Sequence, residues 1–439
     1  IKVNNLLYEL VAKTALEHRR WYYLAGTYDA TTGEMALYLD GDLAAKQTIA
    51  PGPIEIPDVP IQMGKGMDRF PADPVFAWLF PASYAFDGLI DEVRIYDEPL
   101  DARVVKACYD DFKPGDDVQA ELDKRSLPSL PADESFGAVH TRLHYDEAWD
   151  NLFNFGPFAN VVVNFDNNPA KFVFWHGASF VPEMVGEKGE WYNNEWNETW
   201  NKSGGRGCME PLCDKESFYS HVRVLENTPA RVVVHWRFAC VDSQRILANY
   251  EPTTGWADWA DWYFYIYPDG VAGKKMQLFS SGELNHQYQE TILVLGPNQK
   301  GEDIIDVDST LVLSDLETAE SYHWSKGVPK GVTFKDKKIQ LVNFIGAYDP
   351  VTIGEFTGGG VYASETPIYT NFPCWNHWPI CQIASDGRMA KYDDRARHSS
   401  LSSVGLPDYD AQKGDRPYQV KLLLEGITNK GMDELTVLA

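Results

Sequence analysis

Short runs in which apolar and polar residues alternate, separated by turn-forming residues, recur along almost the whole chain. Trp21–Tyr28 and Glu34–Leu39 read as two strands about a Thr31-Thr32-Gly33 turn, with Asp40-Gly41 as a second turn. Phe86–Tyr96 reads as a further strand preceded by a sharp turn. Residues 99–112 carry a helical period and predict a short closing helix. Residues 113–135, with Pro114, Gly115, Pro128, Pro131 and mixed charges, predict a linker. Beyond it strands dominate: Lys171–Trp175, Tyr219–Leu225, Arg231–Phe238, Trp262–Tyr267, Gln289–Leu295, Thr310–Leu313, Lys338–Phe344 and Gln419–Leu424. Pro268-Asp269-Gly270, Asn227-Thr228-Pro229 and Gly358-Gly359-Gly360 punctuate them. No helical pattern of about 10–15 residues alternates with these strands, which argues against a parallel sheet. The predicted class is all-β, with residues 136–439 forming a large antiparallel two-sheet sandwich.

Composition narrows the function. At 439 residues the chain predicts two or three domains. A formal charge of −25 argues against a nucleic-acid partner, whose binding needs a cationic footprint. An anionic substrate stays open, provided that Arg, Lys and His gather locally. The acidity is uneven, since Glu302–Glu320 holds seven acidic residues and no basic one. No run of 18 apolar residues occurs, so no membrane span is expected. The start at Ile1, without Met or a basic-plus-apolar leader, reads as a processed chain or one cut from something longer. Cys208/Cys213 and Cys374/Cys381 are close enough for local disulfides in a secreted protein. A thiolate metal site is the alternative for the same residues, without a CxxC spacing to support it. No cofactor is required, and a structural Ca²⁺ or Zn²⁺ is compatible with the chain.

Three regions carry candidate chemistry. In the first, alternation puts Tyr219, His221 and Arg223 on one face of a strand, and Arg231, Val233, His235 and Arg237 on one face of the next. A five-residue loop, Glu226–Ala230, would set His221 opposite His235 and Tyr219 opposite Arg237; a four-residue loop would break the match. Such a face suits proton abstraction beside a carboxylate: a cation neutralises the uronate, a Tyr or His takes its C5 proton, and an acid protonates the leaving oxygen. Long polar side chains that simply meet water would give the same pattern. In the second region, a strand ends at His176-Gly177 and a loop presents Trp191, Tyr192, Asn193, Asn194, Glu195, Trp196 and Trp200. Aromatic faces there could stack on sugars while Asn and Glu bind hydroxyls; core packing with surface Asn and Glu is the alternative. Asn197-Glu198-Thr199 is also an N-glycosylation pattern. In the third, Trp375, His377 and Trp378 precede four basic residues between Arg388 and Arg397, Arg395 among them, against the global charge. A Trp-packed loop with a solvated basic stretch reads equally well.

Two family resemblances follow. "AGTYD…G.M.LYLDG" and "FDGLIDEVRIYDEPL" resemble the closing half of laminin-G-like (concanavalin A-like) jelly rolls, over roughly residues 1–112. Half a jelly roll leaves sheet edges unpaired. The missing N-terminal half is therefore expected upstream of Ile1 or on a separate chain, unless this half packs on the second domain. A scaffold or glycan-binding accessory role is implied; no clustered Asp/Asn set for Ca²⁺ stands out. "FWHGASFVPEMVGEKGEWYNNEWNETW", "YSHVRVLENTPARVVVHWR", "GWADWADWYFYIYPDG" and "NHWPICQIASDGR" resemble ulvan lyases of polysaccharide lyase family 40. That resemblance implies a supersandwich-like catalytic domain and β-elimination at a uronate of a sulfated algal polysaccharide. It also implies a secreted or periplasmic enzyme of a marine bacterium. On this reading Tyr219 is base and acid, and His221 or His377 is the partner base. His176, Asn194 and Arg237 neutralise the carboxylate. Tyr192, Asn193, Glu195, Trp196, His235, Trp375, Arg388 and Arg395 bind substrate. Two other classes remain: a glycoside hydrolase with two of Glu183, Glu190 and Glu195 about 5–9 Å apart, and a non-catalytic glycan-binding protein.

Overall fold

The computed structural model describes residues 1–14, 16, 20–56, 90–113, 127–131, 135–143, 160–194, 197–200, 208–214, 217–241, 246–280, 286–288, 290–296, 299–362, 374–375, 397–409 and 418–439. The protein is nearly all β and divides into two compact units, one within residues 1–113 and one from residue 127 onward.

In the first unit Leu24–Asp29, Glu34–Leu39 and Asp42–Thr48 form an antiparallel three-stranded sheet. Alternation buries Met35 with Val3 and Ile49 on one face, and Ala36 and Tyr38 with Val105 on the other. Val105 comes from the helix Ala102–Phe112, capped by Asp101, whose carboxylate accepts the Arg103 and Val104 N–H groups. Gly41 has φ +81°, and a Cβ there would lie 2.8 Å from Lys106 of that helix. The strand expected over Phe86–Tyr96 does not form across its described part. Ile90, Val93, Ile95 and Tyr96 are half-exposed or more, and no described strand offers residues 90–96 a ladder.

The second unit holds, among the described residues, two nine-stranded antiparallel sheets. The first runs His221–Thr228, Arg231–Ala239, Trp259–Ile266, Val271–Phe279, Tyr418–Thr428, Asp349–Ile353, Ile339–Val342, Leu311–Ser314 and Ala319–Tyr322. The second runs Gly358–Val361, Arg397–Gly405, Glu290–Leu295, Trp191–Asn193, Pro182–Val185, Lys171–Phe174, Asn160–Asn164 and Gly137–Thr141, with Cys374–Trp375 also on Arg397–Gly405. Their facing sides share one apolar core: Val232, Val234, Trp236, Phe238, Trp262 and Phe264 against Val161, Phe172, Phe174, Met184 and Leu293. The Phe174 and Phe264 rings meet edge-on at 5.4 Å. The Pro268-Asp269-Gly270 turn is tight because Gly270 adopts φ +83° with the Ile427 carbonyl 2.6 Å from where a Cβ would sit. Trp259–Ile266, the strand after the hairpin, buries Ala260, Trp262, Phe264 and Ile266, while the next strand, Val271–Phe279, also buries Lys274, paired with Glu425 at 3.3 Å.

Candidate functional site

The hairpin forms with a different loop from the one expected. Thr228 pairs with Arg231 across Pro229-Ala230, and its hydroxyl accepts the Arg231 N–H. A bulge at Leu225 absorbs the extra residue, so His221 pairs with Arg237 and Arg223 with His235. His221 was expected opposite His235, a shift of two residues along the partner strand. Because two is even, the polar sets still share one face. Tyr219 falls just before the strand, where the Asp214 carboxylate accepts its backbone N–H at 2.7 Å.

The next strand completes the site. Trp259, Asp261, Tyr263 and Tyr265 alternate outward, since Trp262 and Phe264 point into the core. Arg237 Nη1 donates to Asp261 Oδ1 and Oδ2 at 3.0 and 2.8 Å. His235 Nε2 lies 2.7 Å from Asp261 Oδ1, and its ring stacks on Tyr263 at 4.7 Å. Trp259 lies under the Arg237 guanidinium at 5.1 Å and meets the Tyr219 ring at 6.1 Å. Burial works to raise the Asp261 carboxyl, but His235 and Arg237 outweigh it and hold the group below its ordinary pKa. His221 is also held down, first by loss of solvent, then by the charges of Arg237 and Arg223 and by His235, with Asp261 opposing. Loss of solvent and the neighbouring guanidiniums both favour the neutral imidazole. This outward face thus offers a proton acceptor, anion binders, a phenol and aromatic planes.

The other expected residues are distributed elsewhere. Tyr192 and Asn194 face the sandwich interior. The Tyr192 hydroxyl donates to Asn194 Oδ1 at 2.6 Å, and Asn194 Nδ2 donates to Thr352 Oγ1. Both are fully buried, which removes them from any contact with a sugar at the hairpin. Asn193 lies on the opposite side of that sheet and donates to Glu183 Oε2 at 3.4 Å. His176 is buried beside Phe180, its ring pushed down to about 4 by burial, so it holds no positive charge at neutral pH. It therefore cannot neutralise a carboxylate as expected. Asn197 is also fully buried, with Nδ2 3.3 Å from Cys240 Sγ, a placement incompatible with glycan attachment to the folded chain. Glu195, Trp196, His377, Arg388 and Arg395 lie outside the described residues, as do the side chains of Trp375 and of Cys208, Cys213, Cys374 and Cys381. Among the described residues no group of three or more His, Cys, Asp or Glu side chains is arranged to hold a metal ion.

Asp261, Trp259 and Tyr263 escaped the sequence reading, although the alternation of Trp259, Asp261, Tyr263 and Tyr265 carries them. A second polar group was less visible. Glu183, Asn193 and Glu290 lie on the side of the second sheet that carries Val173 and Ile292, opposite the side that bears Phe172 and Phe174, and are buried there. Burial raises Glu290 to about 8, with a Ser400 hydrogen bond opposing and the Glu198 charge adding. Glu183 is raised well above the usual carboxylate range, also by burial.

Comparison with known proteins bears mainly on the first unit. Residues 2–106 match the family model of the Concanavalin A-like lectin/glucanases superfamily. The N-terminal part is therefore a concanavalin A-like, laminin-G-like domain, of a fold used for carbohydrate binding. No curated protein matches the chain. Among solved structures, galactose 1-epimerase from Lactobacillus acidophilus NCFM is similar at 7% identity and a TM-score of 0.32, over 67% of this chain and 99% of that one. A likeness that slight carries no argument about activity.

Proposed function

We propose that the second unit is a polysaccharide lyase acting on a sulfated, uronate-containing polysaccharide such as ulvan, with the first unit as a glycan-binding accessory. The observation that carries this reading is His221 paired across the hairpin with Arg237, itself fixed by Asp261. Arg237 engages the uronate carboxylate, which makes the C5 hydrogen acidic by stabilising the charge that develops on its loss. His221 takes that proton. The electron pair forms the C4–C5 double bond as the C4–O bond breaks, and the Tyr219 hydroxyl protonates the departing oxygen. One proton is taken and one is given, so the step draws on side chains alone. Trp259 and Tyr263 offer flat faces for neighbouring sugars. A polymeric substrate cannot reach the cytoplasm intact, which favours a secreted or periplasmic enzyme.

The test is incubation with ulvan while following the ultraviolet absorbance of the unsaturated uronate. The expected result is a rise in absorbance that His221→Ala and Arg237→Ala each slow by about 100- to 10,000-fold. New reducing ends without absorbance would indicate hydrolysis, and binding without either would indicate a glycan-binding module. Full rate in both His221→Ala and Tyr219→Phe would remove the hairpin from the chemistry.

A further inference from the structure

The outward face contains one carboxylate that touches both His235 and Arg237, and its place in the strand sets it beside them. Asp261 is the cross-strand neighbour of Arg237, while His235 faces Tyr263 one pair along. Asp261 is only 7% exposed, so water competes little for its oxygens. Oδ1 is shared between His235 Nε2 and Arg237 Nη1, and Oδ2 takes a second contact from Arg237 Nη1. The other ring nitrogen of His235, Nδ1, lies 3.5 Å from Arg223 Nη2. A guanidinium can only donate, so Nδ1 accepts and Nε2 carries the proton to the carboxylate. The Tyr263 ring, 15° from parallel with the imidazole, holds its plane.

We propose, resting on the lyase reading, that Asp261 is the positioning residue of this site, holding Arg237 directly and Arg223 through His235, so that both guanidiniums flank His221. His235 then serves as a spacer of fixed tautomer instead of a substrate contact. The charged and titratable groups around His221 among the described residues are Arg223 on its own strand, His235 and Arg237 on the paired strand, and Asp261 on the next. Tyr219 precedes the strand, and Lys275 lies over the Tyr263 ring at 5.9 Å. Within this set Asp261 acts on His221 against the arginines, favouring its protonated form.

Asp261→Asn keeps the size and removes the charge. In the full-length chain, an NMR titration of His221 is expected to show its midpoint moved to lower pH than in the wild type. The acid limb of the kcat/KM profile on the anionic polysaccharide moves the same way, and KM rises about tenfold or more as the guanidiniums lose their anchor. Asp261→Glu restores part of both. A purely structural role would lower the melting temperature without moving the His221 midpoint. A folded Asp261→Asn protein with unchanged His221 titration overturns the proposal. If the wild type shows no lyase activity but Asp261→Asn still loosens Arg237 and Arg223, seen as sharpened, fast-exchanging guanidinium NMR signals, the positioning role stands and the lyase reading falls.

Discussion

His176 and Glu290 are both buried titratable groups, and their contributions to stability change with pH in opposite directions. His176 falls from 6.5 to about 4, so between those values the unfolded chain takes up a proton that the folded chain refuses. Its contribution is present above 6.5 and lost as the pH falls toward 4. Glu290 rises from 4.5 to about 8, so the folded chain keeps a proton that the unfolded chain has released. Its contribution is complete below 4.5 and lost as the pH rises through about 8. Glu290→Gln retains the shape and removes the titration. Urea or thermal melts should then show a gain on the order of 1–3 kcal/mol at the alkaline end of that window, and little change at the acid end. A variant whose stability still fell with rising pH as steeply as the wild type would show that Glu290 is not the group responsible.

At the scale of elements, the hairpin shows what a pattern of residues can and cannot carry. The alternation of His221 and Arg223, and of His235 and Arg237, was visible because Val222, Val234 and Trp236 mark the inward positions between them. The bulge was not, because Leu225 sits in a run (Val224-Leu225-Glu226) with no Gly or Pro to mark it. Glu183 stands in the sequence as a hydrolase carboxylate alone; its pairing with Asn193 comes from the register of the hairpin that joins Pro182–Val185 to Trp191–Asn193, which no residue pattern marks. The Phe86–Tyr96 run alternates as a strand should, and its described part finds no partner; local pattern cannot supply a ladder. The bulge also makes a sharp prediction. Removing Leu225 leaves Val224 opposite Val234 and Glu226 opposite Val233, so His221 still meets Arg237, and the lyase rate should stay within about tenfold of wild type. Removing Val222 instead turns His221 toward the core and should abolish activity. Equal losses in the two deletions would disconnect this face from the reaction.

For the molecule as a whole, the two units differ in how much apolar surface each holds. The first relies on two small clusters, around Val3, Met35 and Ile49 and around Ala36, Tyr38 and Val105. The second is built on a continuous core that spans both large sheets and includes Trp236, Trp262 and Trp324, all fully buried. Smaller cores give less stability, so calorimetry should resolve two transitions, the lower one from the first unit. The transitions also separate the two carbohydrate roles. A ligand that binds only the folded form of a unit raises that unit's transition, by about 2.7 kcal/mol at a hundredfold excess over Kd. An anionic oligosaccharide carrying uronate should raise the upper transition, and Arg237→Ala should remove most of that rise because the guanidinium carries the contact to the carboxylate. A glycan held by the first unit raises the lower transition and is indifferent to Arg237. If uronate oligosaccharides moved the lower transition alone, the anion-binding face would not be the one between His221 and Asp261. The concanavalin A-like domain would then be the carbohydrate contact, and the hairpin cluster a set of outward polar groups satisfied by one another.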